Sequence, residues 1–93
     1  MNGKYAISTA GHDAGKIYII VGTQDEDLYL ADGVVRTLQK PKKKNAKHVE
    51  IPLQETDLEL AEIIISRRTG CDEAIRQKLH HLRKDNFRYK LRK

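Results

Sequence analysis

The fold class this sequence predicts is a small antiparallel β-barrel followed by two short C-terminal α-helices. Three observations lead there. The N-terminal half is a series of short β-prone runs broken by Gly and Asp-Gly turns. A capping pattern and an amphipathic stretch follow it. The chain has only 93 residues, room for one domain and one modest core.

Tyr5 to Thr9 reads as a first strand. Gly11-His12-Asp13-Ala14-Gly15 reads as a turn, because its two glycines supply the positive φ values of a tight reversal. Lys16 to Val21 is a β-branched and aromatic run, the strongest strand signal in the chain. Gly22 to Asp27 reads as an acidic loop. Leu28 to Ala31 and Val34 to Leu38 flank Asp32-Gly33, and Asp-Gly between two β-prone runs predicts a hairpin. His48 to Leu53 is expected to be the last of five strands. Lys40 to Lys47, between the last two, is expected to be a loop: it is too charged to bury, and Pro41 does not suit a central strand.

Beyond residue 54 the pattern turns helical. Thr56-Asp57-Leu58-Glu59 reads as a capping box with Thr56 as N-cap. That helix is expected to run to about Arg68, with Arg67 and Arg68 at its negative end and Gly70 as its stop. Ile63-Ile64-Ile65 also suits a strand, but the cap and the glycine favour helix. A second helix is expected over Asp72 to Lys84, with Asp72 and Glu73 in its first turn and Arg83 and Lys84 in its last. Ile75, Leu79 and Leu82 form its apolar stripe. The expected organisation is a barrel over 1–54, a helical hairpin packed on it over 55–85, and a basic tail over 86–93.

These residues carry a resemblance. A strand leads into Gly11-x-x-x-Gly15-Lys16, then come the apolar strand Ile17 to Val21, Leu28 to Leu30 and a closing Asp32-Gly33. This order resembles the KOW motif. It is similar to the KOW domains of large-subunit ribosomal proteins of archaea and eukaryotes and to their small bacterial relatives. The stretch from Arg36 to His48 and the terminal helix pair resemble those bacterial relatives too. The chain departs from many KOW motifs in running on as Ile17-Tyr18-Ile19, where a further glycine is common. The resemblance implies an SH3-like barrel and RNA binding, ribosomal RNA first.

The charge pattern agrees with such a partner. The net charge is +5 and the sequence pI about 9.4, which favours polyanions. From Arg36 to His48 there are six Lys or Arg and no acid, enough to neutralise several phosphates and release counterions. Arg36, Lys40, Lys42, Lys43, Lys44 and Lys47 are the candidate phosphate contacts, and Asn45 is a candidate for a base edge or ribose. His12 and Lys16 join them, because that loop often touches RNA in KOW relatives. In the tail, Phe87 and Tyr89 interleave with basic residues. Arg83, Lys84, Arg88, Lys90, Arg92 and Lys93 are its candidates, and packing of Phe87 on the barrel is the alternative. Without rings in the Lys-rich segment, recognition of folded RNA by shape and phosphate is expected. The acids at 25–27 and from Glu50 to Glu62 would repel RNA, which suggests a two-faced protein with the binding surface away from them; simple charge balance is the preferred reading.

Other function classes find little support. Gly11 to Lys16 is one residue short of a phosphate-binding P-loop, and Ile17 stands where that motif needs Ser or Thr for magnesium. Cys71 and the four histidines lack metal-ligand spacing. Cys71 is expected to pack near Ile75, with no base in reach. The expectation is therefore a protein that is not an enzyme, with no cofactor, metal or small-molecule substrate. A single cysteine precludes an internal disulfide. No apolar run is long enough to span a membrane, and Met1 to Tyr5 carries no signal-peptide pattern. A cytoplasmic protein of translation, at the ribosome or another ribonucleoprotein, is the first expectation. A protein-interaction module of a transcription or translation complex is the second, since KOW domains of elongation factors contact polymerase.

Overall fold

The computed structural model describes residues 2–52, 55–67 and 69–84, with residues 83 and 84 described by their backbone. The strands are β1 (Tyr5–Ser8), β2 (Ile17–Gln24), β3 (Asp27–Ala31), β4 (Lys42–Asn45) and β5 (Val49–Glu50). A 3₁₀ turn, Ala46–His48, joins β4 to β5, and helices α1 (Leu58–Ser66) and α2 (Cys71–Lys84) follow. The strands form one five-stranded sheet in the order β4-β3-β2-β1-β5. Every described pairing is antiparallel.

The connectivity forces the sheet to curl. Laid flat, β4 and β5 would lie about 19 Å apart, four strand spacings of about 4.8 Å. The step from Asn45 to Val49 reaches at most about 14 Å, and less when wound as a 3₁₀ turn. The edges must therefore bend towards each other. The register shifts between Ile20 and Gly22, a bulge of the kind that sharpens local twist. Among the described residues no ladder joins β4 to β5, so the sheet is open.

Both faces of β2 are covered over Ile17 to Val21, which explains why that run is continuously apolar and not alternating. Tyr18 and Ile20 enter one cluster with Ala6, Leu28 and Leu30, inside the curl. Ile19 and the partly buried Ile17 and Val21 belong to the other, with Tyr5, Ala31 and Leu38. The helices supply its remainder: Leu60 and Ile64 from α1, and Cys71, Ile75 and Leu79 from α2. The stripe expected on α2 is thus the buried one, with Cys71 added one turn before Ile75.

Several expectations are corrected. Lys40 to Lys47 is not a loop. Lys42–Asn45 is an edge strand, with Lys42 opposite Leu30 and Lys44 opposite Leu28. Edge strands tolerate lysine, and Pro41 sits just before this one, where no ladder bond is lost. Val34 to Leu38 is not a strand. Asp32 folds the chain locally: its Oδ1 accepts from Val34 N at 2.9 Å and Arg36 N at 3.0 Å. The chain then turns towards α2, where Leu38 N donates to Asp72 Oδ1 at 2.7 Å. The hairpin partner of β3 is β4. The acidic loop contracts to Asp25-Glu26, because Gln24 and Asp27 pair across the turn. Asp25 takes φ 56°, a left-handed conformation that Asp tolerates better than most residues. The last strand is shorter than expected, with His48 in the 3₁₀ turn, and Leu53 lies outside the described residues.

The N-cap of α1 is Asp57, not Thr56. Asp57 Oδ1 accepts from Leu60 N at 3.1 Å, while Oδ2 accepts from Tyr5 Oη at 2.6 Å and lies 3.5 Å from Lys78 Nζ. Asp57 therefore ties α1 to both β1 and α2. The helix is stopped by Arg67, in the left-handed region at φ 53°, and not by Gly70, whose carbonyl accepts from Ala74 N at 3.0 Å at the entry to α2.

Candidate nucleic-acid interface

The β1–β2 loop, residues 9–16, organises the basic surface. Lys44 Nζ donates to Ala10 O at 2.8 Å and lies 2.9 Å from Asp13 Oδ1. Thr9 N donates to His48 O at 2.9 Å. At the loop's far end, Lys16 Nζ lies 2.8 Å from Asp32 Oδ2, next to the start of the β3–β4 connection. One loop thus touches β4, the 3₁₀ turn and the segment that leads to Arg36. The two candidate segments, far apart in sequence, become neighbours.

Asp13 is the centre of that contact. Its Oδ2 accepts from Tyr18 Oη at 2.6 Å and its Oδ1 from Ser8 Oγ at 2.8 Å. Lys42 Nζ stands 3.5 Å away. Burial alone would raise its pKa. The hydrogen bonds from Tyr18, Lys44 and Ser8, with the Lys42 charge, outweigh burial and hold the carboxyl well below the usual carboxylate range. Burial pushes the Tyr18 phenol up, and the Asp13 carboxylate pushes it further. Asp32 behaves like Asp13. Burial opposes ionisation, but Lys16 and the amides of Val34 and Arg36 keep its carboxyl low.

The candidate residues therefore divide. Lys42 and Lys44 lie opposite Leu30 and Leu28, and directly paired residues share a face. Their ammonium groups turn over the mouth of the curl onto Asp13, and the Lys44 side chain is only 11% exposed. Lys43, opposite Tyr29, is on the other face and exposed, as are His12, Lys40 and Lys47. Lys16 is half-buried, 5.4 Å from the Tyr18 ring centre. Arg36 is half-buried too, and its backbone is fixed by Asp32 and Gly33. Asn45 caps the 3₁₀ turn, its Oδ1 accepting from Lys47 N at 3.0 Å. Arg83 and Lys84 have their backbones in the last turn of α2. Arg88, Lys90, Arg92 and Lys93 lie outside the described residues.

The acidic turn sits nearer to this surface than simple separation of charge would have it. Ala46 N donates to Glu26 O at 2.8 Å, and Asp27 pairs with Asn45. Lys47 therefore has acids on the neighbouring turn, and Lys43 shares the face of Asn45 and Asp27, two residues along the strand. Sequence reasoning missed Asp13, Asp32, Asp57 and Asp72 as organisers, because each gains at least one partner distant in the chain.

No protein-family model matches the chain.

Proposed function

We propose that this chain is a non-catalytic, cytoplasmic RNA-binding protein of KOW type, built on an SH3-like barrel, that grips folded RNA, ribosomal RNA first. The observation that carries the reading is the junction of the Gly11–Lys16 loop with the Lys-rich strand. It makes one surface of two segments that the KOW resemblance assigns to RNA contact. The strand order, with a 3₁₀ turn linking the two edge strands, supports the barrel. Lys40, Lys43 and Lys47 are the cations free to meet phosphates, while Lys42 and Lys44 hold the surface in shape. Lysine suits backbone contact more than base reading.

The test is binding to ribosomal RNA across a salt series, for the parent and for a variant with Lys40, Lys43 and Lys47 changed to Ala. All three side chains are exposed, so the variant should keep its melting temperature. Loss of three phosphate contacts is expected to flatten the log–log salt slope by about 2 to 3. A parent with no affinity at low salt, or a variant with the parent's slope, would refute the reading.

A second reading is a protein-interaction module of a transcription or translation complex. Val34 and Val35, 62% and 72% exposed, favour it, since they form a firmly held apolar tip between Asp32 and Arg36. Under that reading binding survives moderate salt and fails when both valines become Ser.

A further inference from the structure

Helix α1 has the composition of a buried helix. Six of its nine residues, in LELAEIIIS, are apolar, more than a single core-facing stripe requires. Only part of it is covered. Leu60 and Ile64 are buried, and Ile63 is packed partly against the core. Leu58 and Ile65 remain 78% and 73% exposed. At 100° per residue, Leu58, Glu62 and Ile65 fall within about 60° of arc, on the side away from Leu60 and Ile64. The exposed pair is one seven-residue step apart, about 10 Å along the axis. Helix α2 shows no such excess: among residues 71–82 its exposed positions are Glu73, Arg76, Gln77, His80 and His81.

We propose that the outer side of α1, built on Leu58 and Ile65, docks a cationic amphipathic segment of another protein. Charge selects the occupant. Glu55, Glu59 and Glu62 are all exposed around the apolar pair, and Glu59 already holds Lys78 at 3.2 Å on the α2 side. RNA and an anionic membrane are both repelled by such a border. A second copy laid α1 against α1 would set glutamate against glutamate, which is destabilising. A polypeptide with Leu-like anchors and Lys or Arg flanks satisfies both the apolar pair and the acids. The proposal does not depend on the RNA reading.

The experiment uses the full chain with ¹³C-labelled Leu and Ile methyls. The probe is a helical peptide of about fourteen residues made of Leu and Lys, Leu repeating at i, i+3, i+4 and i+7. Its controls are a Ser-for-Leu peptide of equal charge and a Glu-for-Lys peptide. The expected result is saturable shifts at the Leu58 and Ile65 methyls with the Leu/Lys peptide alone. Changing Leu58 and Ile65 to Ser should weaken binding at least about tenfold at an unchanged melting temperature. Changing Glu55, Glu59 and Glu62 to Gln should weaken it and flatten its salt dependence. Equal binding of the Ser-for-Leu peptide, shifts centred elsewhere, or no binding would overturn the proposal. So would Leu58 and Ile65 shifts that move when residues 85–93 are deleted, because the chain's own tail would then be the occupant.

Discussion

Replacing Gly33 with Ala is expected to destabilise the fold by roughly 2–5 kcal/mol, the sum of left-handed strain and overpacking. Gly33 has φ 80°, where a side chain is disfavoured. The added Cβ would also collide with the Asp72 carbonyl and come within 2.7 Å of Arg76 N. Both are backbone atoms of α2, so no side chain can swing away. This is where the β3–β4 connection meets the first turns of α2, just before Leu38 enters the core. Gly15 provides the control. Its φ is 92°, but a Cβ there meets nothing within 4 Å, so Gly15→Ala should cost only the backbone strain, about 1–2 kcal/mol. Urea unfolding of the two variants beside the parent separates the cases. Equal losses would mean that the approach of α2 to Gly33 is not a tight one.

The same region shows where sequence reasoning reached and where it stopped. Asp32-Gly33 announced a turn, and a turn is there. The path of the chain beyond that turn could not be read locally, because Leu38 is drawn to Asp72 and the core beside α2 by partners distant in sequence. The β1, β2 and β3 strands and both helices were legible, since apolar runs and a cap region act within a few residues, although Arg67 and not Gly70 ends α1. β4 was not. Three consecutive lysines read as a solvated loop, and only pairing with Leu28 to Leu30 makes them a strand. The Thr56 cap missed by one residue for a similar reason: Asp57 wins through Tyr5 and Lys78, which no capping pattern contains. In the candidate interface the residue types were legible, but their division was not. Nothing near Lys42 or Lys44 in sequence signals that Asp13 draws them inward, whereas Lys43 between them points away.

Asp13→Ala is expected to cost about 3 kcal/mol. Removing one partner of a buried pair leaves the other charge uncompensated. The Lys44 side chain is 11% exposed and that of Asp13 13%, so solvent screening discounts this pair little. Without the carboxylate, Lys44 keeps only the Ala10 carbonyl, and Tyr18, itself 2% exposed, loses the acceptor for its hydroxyl. The damage should be specific: the β1–β2 loop comes away from β4, and the basic surface loses its junction. Lys44→Met is the informative companion. It removes the charge while retaining an apolar stem against the loop, and should cost less than Asp13→Ala. The pH dependence arises from the same contact. Asp13, Asp32 and Asp57 all have folded-state pKa values below the ordinary 3.8. A depressed carboxylate contributes stability that is fully present above its unfolded value and is lost as pH falls towards its folded one. The melting temperature should therefore lose little to these groups between pH 7 and about 5, then fall steeply below about 4. In Asp13→Ala part of that acid limb disappears, so the parent and variant curves converge at low pH. Parallel curves down to about pH 2 would show that the Asp13 carboxylate is not what joins the loop to the strand.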